Sequence, residues 1–225
     1  GATFEVVNAD TSGITGINNA GTTNFRNSNS AGSASVSNGG TLSFYDTSTA
    51  GTASIDNSGT LSFLDHSSAG LASINNHTGQ TLRFNVSSTA GSATITNDGA
   101  LFFNNSGSAG HATITNDYTV YFNDSGTAAN ATITNNVGGS IRFDDLSTAG
   151  HASIGNSGTI YFFNNGKAGS ATITNDAVIE FMADSTAENA VIVNNGNHLW
   201  FTQNASAGNA TVTNAGTGTL EFHDA

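Results

Sequence analysis

The sequence has no cysteine, no proline and very little charge. Without cysteine the chain can hold no disulfide framework and no thiolate metal site. The absence of proline fits uninterrupted β-sheets, because proline removes a hydrogen bond from the ladder. Lys and Arg number only 4 against 16 Asp and Glu, which gives a net charge of −12. Such a balance disfavours nucleic acid, whose binding needs a basic footprint, and gives no attraction to anionic membranes.

Long hydrophobic runs are also missing, since no stretch approaches the roughly 18 apolar residues of a transmembrane helix. We therefore expect no direct membrane insertion of this segment. Disorder is an equally poor explanation of the composition, because 36% of the residues are hydrophobic and the 14 Phe recur regularly.

What the chain does contain is a repeat of 19 to 21 residues along its full length. A β-branched column begins at Ile17 and ends at Val212, and two residues after each member stands an Asn. A Phe column follows, with an aliphatic residue two positions before each Phe in all repeats but the first, which has Thr23. The central members of the Asn and Phe columns are Asn97, Asn116, Asn135, Asn156 and Asn175, and Phe103, Phe122, Phe143, Phe162 and Phe181.

The period within each repeat is two, as in Ala93-x-Ile95-x-Asn97, which indicates short strands. A unit of this size cannot bury its own apolar face, so the units must stack at the strand spacing of about 4.8 Å. The sequence therefore predicts an all-β, single-domain parallel β-helix over residues 1–225, with about 11 coils of 19 to 21 residues. Phe and Asn should form ladders, and the small segment around Ala149-Gly150 should form a third side or a corner.

The pattern Ala-x-Ile-x-Asn-x-Gly-x-Leu-x-Phe followed by Ser-x-Ala-Gly resembles repeats of autotransporter passenger domains and filamentous-haemagglutinin-type proteins. The resemblance covers essentially the whole chain and implies a right-handed β-solenoid. It also implies a type V secreted protein of a Gram-negative bacterium, extracellular or on the cell surface. This chain would then be a segment of a longer passenger.

Three sets of outward-facing side chains are candidate functional sites. The first is a Thr-x-Thr array beside the Ile column, a hydroxyl lattice typical of ice-binding β-solenoids but also of ordinary solvated strands. Its members are Thr94, Thr96, Thr113, Thr115, Thr132, Thr134, Thr172, Thr174, Thr211 and Thr213. It is interrupted by Ser153 and Gly155 and by Val191 and Val193.

The second feature is a set of outward aromatic residues between the aliphatic and Phe columns: Phe102, Tyr121, Tyr161 and Trp200. They could stack on sugar rings or contact a partner protein, or they could simply pack across strands.

The third feature is a column of carboxylates two residues after Phe, formed by Asp46, Asp65, Asp124 and Asp145, with Asp144 beside them. Stacked carboxylates could bind Ca²⁺ or act as an acid/base pair on a polysaccharide. The nearly constant coil length leaves little room for a cleft, so solvated turn acids are the preferred interpretation. We expect no enzyme, no metal and no cofactor.

The leading hypothesis is thus a non-enzymatic extracellular rod that contributes to adhesion or acts as a stalk or fibre. Its partners would be host or cell-surface glycans or proteins, or further copies of itself. Ice binding and polysaccharide cleavage are the two alternatives.

Overall fold

The computed structural model describes residues 1–223 and confirms an all-β parallel β-solenoid of about twelve turns. Each turn contributes one short strand to the first of two parallel sheets, and each turn but one also contributes a strand to the second. Among the described residues every regular element is a strand, and none is a helix that could span a membrane.

The first sheet has twelve strands, each ending on or just after the Phe column. They are β1 (Thr3–Val6), β3 (Thr22–Phe25), β5 (Thr41–Phe44), β7 (Thr60–Phe63), β9 (Thr81–Phe84), β11 (Ala100–Phe103), β13 (Thr119–Phe122), β15 (Ser140–Phe143), β17 (Thr159–Phe162), β19 (Val178–Phe181), β21 (His198–Thr202) and β23 (Thr219–His223).

The second sheet has eleven strands, each ending on the Asn column. They are β2 (Gly16–Asn19), β4 (Ser35–Asn38), β6 (Ser54–Asn57), β8 (Ser73–Asn76), β10 (Thr94–Asn97), β12 (Thr113–Asn116), β14 (Thr132–Asn135), β16 (Ser153–Asn156), β18 (Thr172–Asn175), β20 (Val191–Asn194) and β22 (Thr211–Asn214).

Like residues pair with like at almost every step, as the repeat predicts. Ile95 pairs with Ile114 and Asn97 with Asn116 in the second sheet, while Phe103 pairs with Phe122 in the first. The register holds through the longer coils, whose extra residues form turns between the sheets after Asn76, Asn135, Asn194 and Asn214. Gly79 and Gly138 have positive φ there, of 77° and 89°. Because the insertions stay in a corner, they leave the stacking of the strands unchanged.

The third side of the coil is a column of isolated parallel bridges from Ser30 to Ser206. A hydroxyl in this column accepts a hydrogen bond from the N–H two residues on, as Thr148 does from Gly150 at 3.0 Å. Gly150, which donates this hydrogen bond, has a φ of 62°, in the left-handed region that glycine adopts without strain. The small Ala-Gly segment is therefore both a short bridge and a corner.

The core is a stack of identical layers. The inward Phe rings from Phe25 to Phe222 form a continuous ladder, with centroids 4.4 to 5.0 Å apart and planes within 12° of parallel. The inner Ile, Leu and Ala columns are at most 2% exposed through most of the rod. Burial of each Phe contributes roughly 1.5–3 kcal/mol. Because each ring is buried by the coils on either side of it, the fold is stabilised by stacking and not by any single coil.

An asparagine ladder closes the corner between the two sheets. Each Asn Nδ2 donates to the Oδ1 of the Asn one coil further on, in ten consecutive bonds of 2.7 to 2.8 Å from Asn19 to Asn214. The same Nδ2 donates to the carbonyl oxygen of the first residue of a neighbouring strand, as Asn97 does to Thr119 at 3.2 Å. Buried amides are thus fully partnered.

The structure has one turn more than the predicted number of about 11, and this turn lies at the start of the chain. The extra turn is β1, in which Val6 pairs with Phe25 at the position of the Phe column. It was missed because no Ala-x-Ile-x-Asn segment precedes it. Thr23, the departure from the aliphatic column, is 3% exposed and its hydroxyl donates to Asn19 Oδ1 at 3.1 Å.

Candidate functional surfaces

The Thr-x-Thr residues lie on the outer face of the second sheet, in register from strand to strand. Thr94, Thr113 and Thr132 pair directly in β10, β12 and β14, and the second Thr column follows beside them. All ten Thr side chains are exposed except that of Thr115, which is half-buried. The hydroxyls therefore form an array with a spacing of about 4.8 Å between coils and about 6.7 Å along the strand.

The array is continuous over only three coils. Thr132 and Thr134 pair with Ser153 and Gly155, while Thr172 and Thr174 pair with Val191 and Val193 on the far side. Thr211 and Thr213 then stand alone at β22. The largest uninterrupted lattice is the block of β10, β12 and β14.

The outward aromatics lie in one column on the outer face of the first sheet, here called the aromatic column. Its members, in successive strands from β9 to β21, are Arg83, Phe102, Tyr121, Arg142, Tyr161, Glu180 and Trp200. Arg83 is exposed and the other six are half-buried. The sequence pattern places these residues in one outward column, and the four aromatics were chosen from it as the candidate contact residues.

Ring faces in the aromatic column are largely covered by neighbouring side chains. Phe102 and Tyr121 stack on each other with centroids 4.8 Å apart and planes 7° from parallel. The guanidinium of Arg83 lies over the Phe102 ring at 5.6 Å, and that of Arg142 lies over Tyr161 at 5.8 Å. Cross-strand packing therefore uses the faces that a stacked sugar ring would need.

Trp200 has a different environment at the far end of the column. Its ring stacks on His198, a residue of the same strand, with centroids 4.4 Å apart, and the His223 ring packs edge-on with its centroid 6.4 Å away. The indole Nε1 is buried without a hydrogen-bond partner. The tryptophan thus lies against the sheet instead of projecting from it.

The carboxylate column occupies left-handed turns. Asp46, Asp65, Asp124 and Asp145 have φ between 56° and 58°. Asp46 Oδ2 accepts a bond from the backbone N–H of Asn27 at 2.8 Å, and Asp65 does the same for Asp46 at 3.0 Å. Asn and Asp tolerate the left-handed region better than other non-glycine residues. The column is accordingly explained by turn geometry and by capping of the preceding coil.

Depressions in the surface lie at the first coils, away from all three columns. One is lined by residues 8–12 with residues 28–30, and another by residues 2–4 with residues 17–23. Within residues 1–223, no group of three or more His, Asp or Glu side chains is placed to hold a metal ion.

Most of the scarce positive charge is paired. Arg26 Nε lies 3.0 Å from Glu5 Oε2, Arg142 Nε lies 3.3 Å from Asp144 Oδ2, and Lys167 Nζ lies 3.4 Å from Glu188 Oε1. The pKa of Glu5 is lowered, first by a hydrogen bond from Asn24 and then by one from Arg26. Among the described residues Arg83 is the one Lys or Arg with no carboxylate within ion-pair distance.

Comparisons with models of protein families, with curated proteins and with solved structures find no match to this chain.

Proposed function

We propose that this chain is a non-enzymatic structural rod of a bacterial cell-surface protein, a passenger-type shaft that sets distance. The observation that carries the proposal is the unbroken asparagine ladder of ten consecutive amide bonds. The ladder continues through coils of different length. This indicates that the sequence is selected to keep the coils stacked without interruption.

The outward surfaces support a shaft over a dedicated binding site. The carboxylates hold turns, and most aromatic faces are occupied by neighbouring side chains. A low content of charged residues together with many hydroxyl and amide groups suits a solvated rod outside the cell. Adhesion by the shaft itself is the competing interpretation.

The experiment displays the chain on a Gram-negative cell between an outer-membrane anchor and a reporter domain. Duplication of residues 98–156 adds three whole coils. It should increase the distance between the reporter and the membrane by about 14 Å, measured by energy transfer to a membrane dye. Attachment of the cells to glycan and protein surfaces is compared in the same strains. A shaft predicts unchanged attachment when Tyr161 and Trp200 are both replaced by Ala.

The control for that pair is replacement of Thr172 and Thr211 by Ala on the opposite sheet. A reporter height that does not follow coil number would contradict the shaft. Loss of attachment with the Tyr161 and Trp200 variant alone would assign adhesion to the aromatic column instead.

A second candidate function is ice binding, favoured by the three consecutive coils in which exposed Thr-x-Thr pairs lie in register. It predicts thermal hysteresis by the native chain, reduced at least severalfold by Thr113→Lys. Thr148→Lys on the third side should leave the hysteresis unchanged. A solution of the native chain that freezes without thermal hysteresis would reject this function.

A further inference from the structure

The aromatic column carries opposite charges near its two ends. Two copies of the column that run in opposite directions would therefore place opposite charges face to face. It begins with Arg83 in β9 and ends, before Trp200, with Glu180 in β19. Within the described residues neither side chain has an ion-pair partner, although the other Arg and Lys residues all do. Two unpaired opposite charges thus flank a stretch of half-buried aromatic rings.

We infer that this face binds a second copy of the chain, with the two rods antiparallel and the aromatic columns facing each other. The two-fold axis would run along the strands, midway between β13 and β15. Arg83 would then face Glu180 of the second copy, Phe102 would face its Tyr161, and Tyr121 would face its Arg142. The two-fold axis repeats each pair, so six contacts arise from one column.

The order of residues selects this orientation over the parallel one. If the rods lay parallel with coils level, Arg83 would face Arg83, and Glu180 would face Glu180. Like charges placed opposite each other at an interface are unfavourable. The antiparallel register instead places opposite charges at both ends and a cation beside a ring at the centre. Two sheets packed face to face in this way also match the aligned packing of β-sandwiches.

The available area is consistent with a weak, reversible dimer. Around this axis, β5 to β23 of one copy would overlap β23 to β5 of the other. Ten strands at about 4.8 Å and four residues at about 3.3 Å give about 600 Å² on each copy. The total of about 1,200 Å² lies at the lower end of stable protein interfaces. We therefore expect a dissociation constant of about 10⁻⁴ M.

Sedimentation of the 225-residue chain from micromolar to millimolar concentration tests the dimer. The native chain should show a reversible monomer–dimer equilibrium over this range. Arg83→Glu and Glu180→Arg should each weaken dimerisation about tenfold or more, because each turns two attractions into repulsions. Lys167→Glu changes the net charge as much as Arg83→Glu but lies on the third side, so it should leave dimerisation within about twofold of native.

Mixing the two variants gives the sharpest outcome. In a mixed dimer both ends again carry opposite charges, so Arg83→Glu and Glu180→Arg together should dimerise close to native strength. Circular dichroism of each variant verifies that the solenoid is folded. A native chain that stays monomeric at millimolar concentration overturns the inference. Single variants that dimerise as well as native, or a mixture that fails to recover, also overturn it.

Discussion

Each asparagine of the ladder makes the same three side-chain hydrogen bonds in every central coil. Asn97 accepts from Asn76, donates to Asn116 and also donates to the carbonyl oxygen of Thr119. A residue of this kind is specified by the neighbouring coils as much as by its own. Replacing it leaves polar groups unpaired on both sides, which costs more than the loss of one bond.

Asn135→Ala should lower the free energy of unfolding by about 2–4 kcal/mol, because Asn116 Nδ2 and Asn156 Oδ1 both lose a partner. Chemical denaturation measures the loss. Thr134→Ala changes the exposed neighbouring residue and should stay within about 0.5 kcal/mol of native. Equal effects of the two substitutions would contradict the buried ladder.

Phe102 and Phe103 are adjacent in the chain but lie on opposite sides of the first sheet. Phe103 is fully buried between Phe84 and Phe122, at centroid distances of 5.0 and 4.8 Å. Phe103→Ala should cost about 3–5 kcal/mol, whereas Phe102→Ala, which removes a half-buried ring, should cost about 1 kcal/mol. A loss below about 1 kcal/mol for Phe103→Ala in chemical denaturation would show that the inward face is assigned wrongly.

At the scale of the elements, turns explain residues that the strand pattern does not. The position two residues after Phe is left-handed in each coil from Asn27 to Gln203. Asn and Asp suit it, but Val86 occupies it with φ of 64° and is strained there because its side chain is β-branched.

Val86→Asn should therefore stabilise the chain by about 1 kcal/mol. The control is Val137→Asn, at an exposed turn valine outside the positive-φ set, which should change stability by less than about 0.5 kcal/mol. Both are measured as shifts in the denaturation midpoint. No gain for Val86→Asn, or an equal gain for Val137→Asn, would argue against strain at this turn.

Strands and ladders could be predicted from the sequence because identical residues recur at identical positions. The columns of Ile95, Asn97 and Phe103 fix register, and glycine marks one left-handed corner. The left-handed turn at Asp46 was not recognised, because its column mixes Asn, Asp, Val, Ala and Gln. The repeat places Arg83 beside Phe102 and Arg142 beside Tyr161 in adjacent strands. Whether each guanidinium lies over the ring depends on side-chain conformation, which the sequence pattern does not give.

For the whole molecule, stability arises from contacts between neighbouring coils and rises with their number. Coils should therefore be removable as units. Deletion of residues 98–116 joins Asn97 to Asp117 and removes one complete coil, leaving Asn97 to bond with Asn135. Deletion of residues 98–107 removes β11 but keeps β12, so the two sheets fall out of step.

Comparison of these two deletions by equilibrium denaturation tests the stacked-coil account most directly. The account predicts that the chain without residues 98–116 unfolds cooperatively, with a denaturant dependence lower by about one part in twelve. It predicts that the chain without residues 98–107 loses most of its stability, although fewer residues are removed. Equal stability of the two deletion variants would contradict the account. So would a loss of stability confined to the variant that lacks residues 98–116.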